Sequence, residues 1–523
     1  MKRHFSVCVV IILVTIFFLS ILIRLPNINR PLSKHHEFVT AISLQVINIW
    51  QMDGAAKYNF NPVMTYPGTA NKYINKYAST TGKMVDVKGN YYYVSHPPFA
   101  YILPYLVFQL LHAKATVIAI EVFHLVINFI SALFIYLIIC NLQFRKPFEK
   151  INWSGICGFS VYLFSAGVLW FQCNTYMSDM LVHLFFLAAS YYFLQISANE
   201  KAIIKYLFFY AVSLFLMIYT SWLGIFFAVS IILYSVIILR KRIFSVINLI
   251  TAFVSILAIT LFIYQYSLIN GLGNYRDQMS DRLKTRSGWS ESSSLFAEVK
   301  NFINALLTIL KNYGTSYLPF ILLLGFFIYW LAEKRQLTLK TSRRNFLFAW
   351  VSILPIVLLH AFLLDYSGHD FVSLYGSLFL SVAIALAFER VRKNKLLSNT
   401  TLRLLLFLSI FSSVVIYYYI NRPGKFSLKG DEYSVSKQLG LEIKNTASYD
   451  AVVFTIGTAE MDPQLMYYAE RNIKEIKTKK EAFDFLKIRN IKHGFIYYSS
   501  NAKHSSFDKI EQITLKNEST IKN

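Results

Sequence analysis

The stretch from Val117 to Cys140 reads VIAIEVFHLVINFISALFIYLIIC, and its 24 residues include one formally charged side chain, Glu121. A bilayer's hydrocarbon core needs roughly 20 apolar residues of helix, so this stretch is long enough to cross a membrane. Ten further apolar runs are predicted as spans: 5–23, 152–173, 178–196, 204–219, 222–239, 243–266, 314–332, 345–364, 370–389 and 401–420. The fold class predicted is a polytopic all-α membrane protein with about 11 transmembrane helices.

The composition of the whole chain agrees with a membrane location. Of 523 residues, 55% are apolar and 15% are charged, and 52 Lys and Arg against 28 Asp and Glu give a net charge of +24. So apolar a chain is not disordered. The surplus of positive charge fits cytoplasmic loops rather than a nucleic-acid surface, because the basic residues are divided among many loops.

The basic loops fix an orientation. Six of them are expected on the cytoplasmic side: 1–4, 145–150, 200–205, 240–242, 333–344 and 389–395. One crossing, at 117–140, must then separate Lys34 from Arg145. The apolar segment 97–112 becomes a re-entrant or juxtamembrane helix on the outer face, and the chain makes eleven crossings with its C-terminus outside.

Two domains are predicted from this layout. Residues 1–420 form a transmembrane domain with outer loops 24–116 and 267–313, and residues 421–523 form a small α/β domain outside the membrane. The second prediction rests on the strand-like segments 451–456 and 494–498, which flank an amphipathic stretch at 480–487.

The predicted topology places several polar side chains of separate segments on one membrane face. Acids and imidazoles near one face are what acid–base chemistry requires. Each also has an ordinary explanation, since acids often cap helices and Tyr-rich segments form interfacial belts. The candidates are Glu37, His96, Asp179, Trp222, His369 and Asp370.

The second outer loop carries basic residues against the inside-positive bias. Two explanations stay open: a loop of this length translocates regardless of its charge, or it binds an anionic headgroup through guanidinium groups. Arg276, Arg282 and Arg286 are the candidates for the second explanation.

The order of these features resembles the GT-C superfamily of integral-membrane glycosyltransferases, which includes protein O-mannosyltransferases and lipid A aminoarabinose transferases. The resemblance rests on His36-Glu37 early in the first outer loop, on His96-Pro97-Pro98-Phe99 after a Tyr-rich stretch, on Asp179 at the start of a span, and on Met466–Ile473 in the tail. The run from His35 to Tyr105 looks like a bacterial group within the superfamily.

The resemblance implies transfer of a sugar from a polyprenyl-phosphate carrier to a lipid, glycan or protein acceptor on the outer face of a bacterial inner membrane. Relatives often have Asp where this chain has His36, so the role of base passes to Glu37 or is shared with His36. Asp179 orients the acceptor or shares that role, and Asp53 is a fallback carboxylate. No cofactor is expected and no metal is predicted to be obligatory, although some superfamily members use one.

Two other functions remain open from the sequence. A polysaccharide polymerase or ligase of another fold also uses a large outer loop with Arg and a lipid-linked glycan. A polytopic transporter is the alternative outside the enzymes, and it typically has internal repeats or broken helices near the midplane. Nucleic acid is excluded as a partner.

Overall fold

A computed structural model of the chain describes residues 6–32, 36–72, 84–197, 203–238, 240, 245–288, 295–334, 342–420, 431–457, 463–499 and 507–515. The protein is mostly helical. Helices α1 to α9 are Val7–Arg24, Glu37–Asp53, Phe99–Leu110, Val117–Leu142, Trp153–Phe164, Ala166–Phe171, Ser178–Ile196, Ile203–Ile218 and Leu223–Leu233. Helices α10 to α18 are Val246–Asn270, Leu272–Ser287, Leu295–Glu333, Arg343–Phe362, Ser377–Lys393, Asn399–Ile420, Asp431–Thr446, Pro463–Ala469 and Lys479–Arg489. Strands β1 to β4 are Val452–Ile456, Ile473–Glu475, His493–Tyr498 and Lys509–Thr514.

Within the described part of the chain, eight helical segments are long and apolar enough to cross a membrane. They correspond to eight of the eleven predicted spans. The other three, 152–173, 204–219 and 222–239, contain shorter apolar helices. The predicted fold class is confirmed, and the protein is an integral membrane protein.

The predicted span 152–173 is not one helix. It breaks at Ser165, whose backbone is extended (φ −63°, ψ 134°), into α5 and α6. The Ser165 hydroxyl donates to the Val161 carbonyl at 2.5 Å, so it satisfies a group near the break. A side chain at Gly167 in α6 would lie 2.8 Å from the Ser316 hydroxyl, which shows how closely α6 approaches α12.

The predicted outer loop 267–313 is largely helical. Helix α10 continues to Asn270, Gly271 then takes a positive φ of 98°, and α11 follows immediately. Helix α12 begins at Leu295 and contains the predicted span 314–332 in its C-terminal half. A positive φ favours glycine, which explains why the chain changes direction at Gly271.

The chain divides into two compact units, and the first draws on residues 1–28, 121–262 and 280–421. One of its cores joins Val161 of α5, Tyr317 and Phe320 of α12, and Ile384 of α14. At the end of α1, the buried Arg24 guanidinium donates to the carbonyls of Leu169 at 3.0 Å and Val168 at 3.3 Å. These bonds attach α1 to α6.

The second unit draws on residues 29–120, 263–279 and 422–523. It contains a four-stranded sheet in the order β2-β1-β3-β4, with β1 parallel to β2 and β3, and β4 antiparallel to β3. Val453 of β1 lies opposite Ile473 and Phe495 in this register. The α/β character predicted for the tail is therefore confirmed, while the division of the chain at residue 420 stays a prediction.

Candidate functional site

Glu37 is the first residue of α2 and lies in the second unit. Its side chain is 1% exposed and forms an ion pair with Arg30, which is 10% exposed. His36 precedes it in the left-handed region with φ 66°. Ser33–His35 lie outside the described residues. The sequence therefore places a buried carboxylate and a buried guanidinium together at the start of one helix.

Helix α2 is packed against other parts of the chain along most of its length, so most of its side chains are buried. The Gln45 amide donates to the Met64 carbonyl at 2.7 Å. The tail helix α17 packs against α2, and its Tyr468 hydroxyl accepts the Leu32 amide at 2.9 Å. The tail element Met466–Ile473 thus contacts the segment that precedes Glu37.

Arg471 of the same tail element contacts the backbone and a ring of the tail. Its guanidinium lies 4.4 Å from the centroid of the Tyr449 ring. It also donates to the carbonyls of Tyr449 at 3.2 Å and Ala447 at 3.1 Å. These contacts connect the end of α17 to the turn before β1.

His96 lies in the second unit just before α3 and is 3% exposed. Its backbone carbonyl accepts a hydrogen bond from the Tyr266 hydroxyl. Helix α3 begins at Phe99, after Pro97 and Pro98, as the sequence predicted for the segment 97–112. The location of α3 relative to the bilayer stays a prediction.

Asp53 lies at the other end of α2 from Glu37, and a rise of 1.5 Å per residue puts the two about 24 Å apart along the helix. Its carboxylate accepts from the Lys57 ammonium and the Tyr58 hydroxyl, each at 2.5 Å. Burial alone would raise the pKa of Asp53, but these hydrogen bonds and the Lys57 charge lower that pKa overall. Asp53 is therefore a paired carboxylate away from Glu37.

Asp179 lies in the first turn of α7, in the first unit, and is fully buried. Its carboxylate accepts hydrogen bonds from the hydroxyls of Tyr375, at 2.6 Å, and Tyr366. The N-cap position of α7 is Met177. The side chain therefore binds two phenols rather than serving as the N-cap that the sequence also allowed.

Tyr366 connects Asp179 to two other predicted residues. The Arg286 guanidinium lies 4.9 Å from the centroid of its ring, and Arg286 Nη1 is 3.1 Å from His369 Nε2. Burial and the nearby Asp179 carboxylate raise the pKa of the Tyr366 hydroxyl well above its ordinary value, so it stays protonated and donates. Asp179, Tyr366, Arg286 and His369 thus form one connected group.

Four further predicted residues have other described positions. Arg276 belongs to the second unit, is 80% exposed, and pairs with Asp277 at 3.6 Å. Arg282 is half-buried on α11. The Trp222 ring meets Phe262 edge-on with centroids 6.0 Å apart. Asp370 begins the 3-10 turn that follows His369.

Three contributors to these groups escaped the sequence reasoning: Arg30, Tyr366 and Tyr375. Arg30 is seven residues before Glu37, so the pair does not have the i, i+3 or i, i+4 spacing by which ion pairs on a helix are recognised. Tyr366 lies close before His369 and Asp370, which the sequence did indicate, so its position was an available signal. Tyr375 carried none, because tyrosine is common at membrane interfaces.

The described residues do not fit a metal centre, since none of them form a group of three or more His, Cys, Asp or Glu side chains able to hold an ion. No step is therefore assigned to a metal. The prediction that none is obligatory stays a prediction.

The bundle of apolar helices, the acidic residues at the starts of α2 and α7 and the α/β tail agree with the fold that the sequence resemblance implied. No protein-family model matches the sequence, and no curated protein matches it. Solved structures do.

The chain is similar to ArnT from Cupriavidus metallidurans bound to undecaprenyl phosphate, with a TM-score of 0.56, 13% identity, and 94% of this chain and 93% of that chain covered. It is also similar to the Archaeoglobus fulgidus oligosaccharyltransferase in complex with Zn and sulfate, with a TM-score of 0.56, 12% identity, and coverage of 93% and 68%. A third, AglB from the same organism with an inhibitory peptide and a dolichol-phosphate, has a TM-score of 0.55 at 11% identity and covers 94% and 69%. At these identities the likeness establishes the fold, and the predicted GT-C resemblance is confirmed at that level.

Proposed function

We propose that this protein is a glycosyltransferase that moves a sugar from a polyprenyl-phosphate carrier to an acceptor on the outer face of the bacterial inner membrane. The observation that carries the proposal is the buried Glu37–Arg30 pair at the start of α2 in a GT-C fold. The ligands of two similar structures, undecaprenyl phosphate and dolichol-phosphate, support a lipid-phosphate donor.

The proposed reaction needs one base and one cationic group. The acceptor oxygen forms a bond to the anomeric carbon of the sugar, and the bond between that carbon and the phosphate oxygen breaks. The phosphate leaves with the bonding electron pair, and the acceptor proton passes to a carboxylate. Guanidinium groups stabilise the negative charge on the leaving phosphate.

Glu37 is the proposed base, and Arg30 is the proposed partner of the donor phosphate. The two side chains neutralise each other when no ligand is present. A phosphate that draws the guanidinium toward itself leaves the Glu37 carboxylate able to accept a proton. Asp179 is the second carboxylate proposed to act on the acceptor, and it is tested separately.

The test of the function is a transfer assay with the full-length protein in sealed membrane vesicles. A radiolabelled sugar on a polyprenyl-phosphate carrier is expected to appear in a membrane-associated acceptor. Label that crosses the vesicle membrane chemically unchanged would instead support the transporter. Label that accumulates as a long repeating polymer would support the polymerase.

The proposed orientation predicts that Val87→Cys reacts with a membrane-impermeant maleimide in intact cells, because Val87 is 95% exposed and lies in the first outer loop. Lys146→Cys is the matched control on the proposed cytoplasmic side, and Lys146 has 69% of its side chain exposed. It is expected to react only after permeabilisation. Both variants carry Cys8→Ser, because Cys8 is exposed whereas the other three cysteines are buried. The reverse pattern of labelling would contradict the orientation.

A further inference from the structure

The second unit contains a cleft of about 590 Å³ that the chemistry above does not use. It lies between the C-terminal end of α2, the loops around residues 67–72 and 88–90, and the end of α18. A volume of this size suits a small organic ligand rather than a bare ion. Because α2 separates Asp53 at this cleft from Glu37 by about 24 Å, the cleft is distinct from the Glu37–Arg30 pair.

The cleft is strongly basic. Among the described residues, four cationic side chains line it, Lys57, Lys72, Lys88 and Arg489, against one carboxylate, Asp53. That carboxylate is already engaged by Lys57 and Tyr58, each at 2.5 Å. The charge of the lining is therefore far from balanced.

The other nearby acid is also engaged. Asp86 lines an adjoining cleft of about 190 Å³ and accepts from the Tyr92 hydroxyl at 2.8 Å and the Asn90 amide at 2.7 Å. Among the described residues, no carboxylate lies within ion-pair distance of Lys72 or Lys88. These two ammonium groups are the part of the lining that an incoming anion would neutralise.

Lys72 is the most buried of the four cationic side chains in this lining. It is half-buried and donates to the Asn90 side chain. Burial, together with the charges of Lys57 and Lys88, lowers the pKa of Lys72 despite the opposing effect of Asp86 and Asp53. An anion at this position would favour the charged form of the lysine.

We propose that this cleft binds a phosphate-bearing ligand, with the phosphate between Lys72, Lys88 and Arg489. Ammonium and guanidinium groups are the usual protein partners of phosphate, and the Thr69 residue adds a hydroxyl group to the lining. The phosphate belongs either to a soluble phosphorylated saccharide or to a lipid headgroup. The proposal is independent of the transfer reaction, because none of these residues takes part in it.

The test uses the full-length protein in nanodiscs of phosphatidylcholine, with inorganic pyrophosphate as the probe in titration calorimetry. Wild type is expected to bind pyrophosphate, and the double variant Lys72→Gln/Lys88→Gln is expected to bind it at least about tenfold more weakly, since it loses two charge-assisted contacts. Lys480→Gln is the matched control, because Lys480 is exposed on α18 and does not line the cleft. The double variant Lys72→Arg/Lys88→Arg keeps the charge and is expected to bind like wild type.

Two further arms distinguish the sources of phosphate. Displacement of pyrophosphate from wild type and from the Arg double variant by a hexose 1-phosphate supports a phosphorylated saccharide. Weaker pyrophosphate binding by the same two proteins in nanodiscs containing phosphatidylglycerol than in phosphatidylcholine supports a lipid headgroup. Equal pyrophosphate affinity in wild type and the Gln double variant, or no binding by wild type, would overturn the proposal. Neither result depends on whether the protein transfers a sugar.

Discussion

Glu37→Gln is expected to lower the rate of sugar transfer by about 10²- to 10⁴-fold, the range that general-base catalysis typically contributes. Glutamine keeps nearly the same shape but cannot accept the acceptor proton. The loss should appear in kcat rather than only in KM, because the base acts in the transition state. The measurement is transfer of radiolabelled sugar in vesicles containing equal amounts of folded protein.

A folding defect of the variant is the main alternative explanation for such a loss of transfer. Glu37→Gln breaks the buried ion pair with Arg30, and the loss of one charge of a buried pair destabilises a protein. The double variant Arg30→Gln/Glu37→Gln removes both charges, so it is expected to recover thermal stability while remaining inactive. Glu475→Gln, an exposed carboxylate of β2, is the matched control and should keep full activity. Full transfer by a folded Glu37→Gln protein would exclude Glu37 as the base.

The helix that carries Glu37 is readable from the sequence, because several local signals agree. Phe38, Ile42, Ile49 and Trp50 repeat with a helical period, and Gly54 marks the end. The structure begins α2 at Glu37 and ends it at Asp53, and Gly54 takes a positive φ of 84°. A glycine in that conformation ends a helix without steric cost, so the boundary was readable from the residue type.

Other parts of the fold were not readable. The run 152–173 is apolar throughout, so nothing in its hydropathy indicated the break at Ser165. Next to the break, α6 lies close to Ser316, which is more than a hundred residues later in the chain. The helical character of 272–287 was also missed. This segment is polar and has no apolar face, so its sequence shows little of the hydrophobic periodicity that indicates a helix.

The candidate site shows the same division between local and distant information. The candidate residues Glu37, Asp179 and three arginines were named from local patterns, and their roles stay predictions. Which guanidinium meets which distant side chain was not readable. In the structure Arg286 contacts Tyr366 and His369.

Asp179→Asn is expected to lower sugar transfer by about 10²-fold and to lower the melting temperature of the protein. Two phenols, Tyr366 and Tyr375, donate to the buried carboxylate, and hydrogen bonds to a charged acceptor contribute about 1.5–3 kcal/mol each. Both phenols donate to Oδ1, so an asparagine oxygen can still accept them, but the bonds lose the negative charge that strengthens them. Weaker bonds to Tyr366 should change its position and that of Arg286 over its ring.

The tyrosine variants separate a structural role of Asp179 from a role in the reaction. Tyr375→Phe removes one donor without touching the contact between Tyr366 and Arg286, so it should lower stability more than transfer. Tyr366→Phe keeps the ring beneath the guanidinium but loses its hydroxyl, so its effect measures the link between Asp179 and Arg286. Asp365→Asn is the matched control, because it changes an exposed acid in the same turn and should leave both quantities unchanged. If Asp179→Asn and Tyr375→Phe lost stability equally and both kept full transfer per folded molecule, Asp179 would be a structural residue and the reaction would depend on the Glu37–Arg30 pair alone.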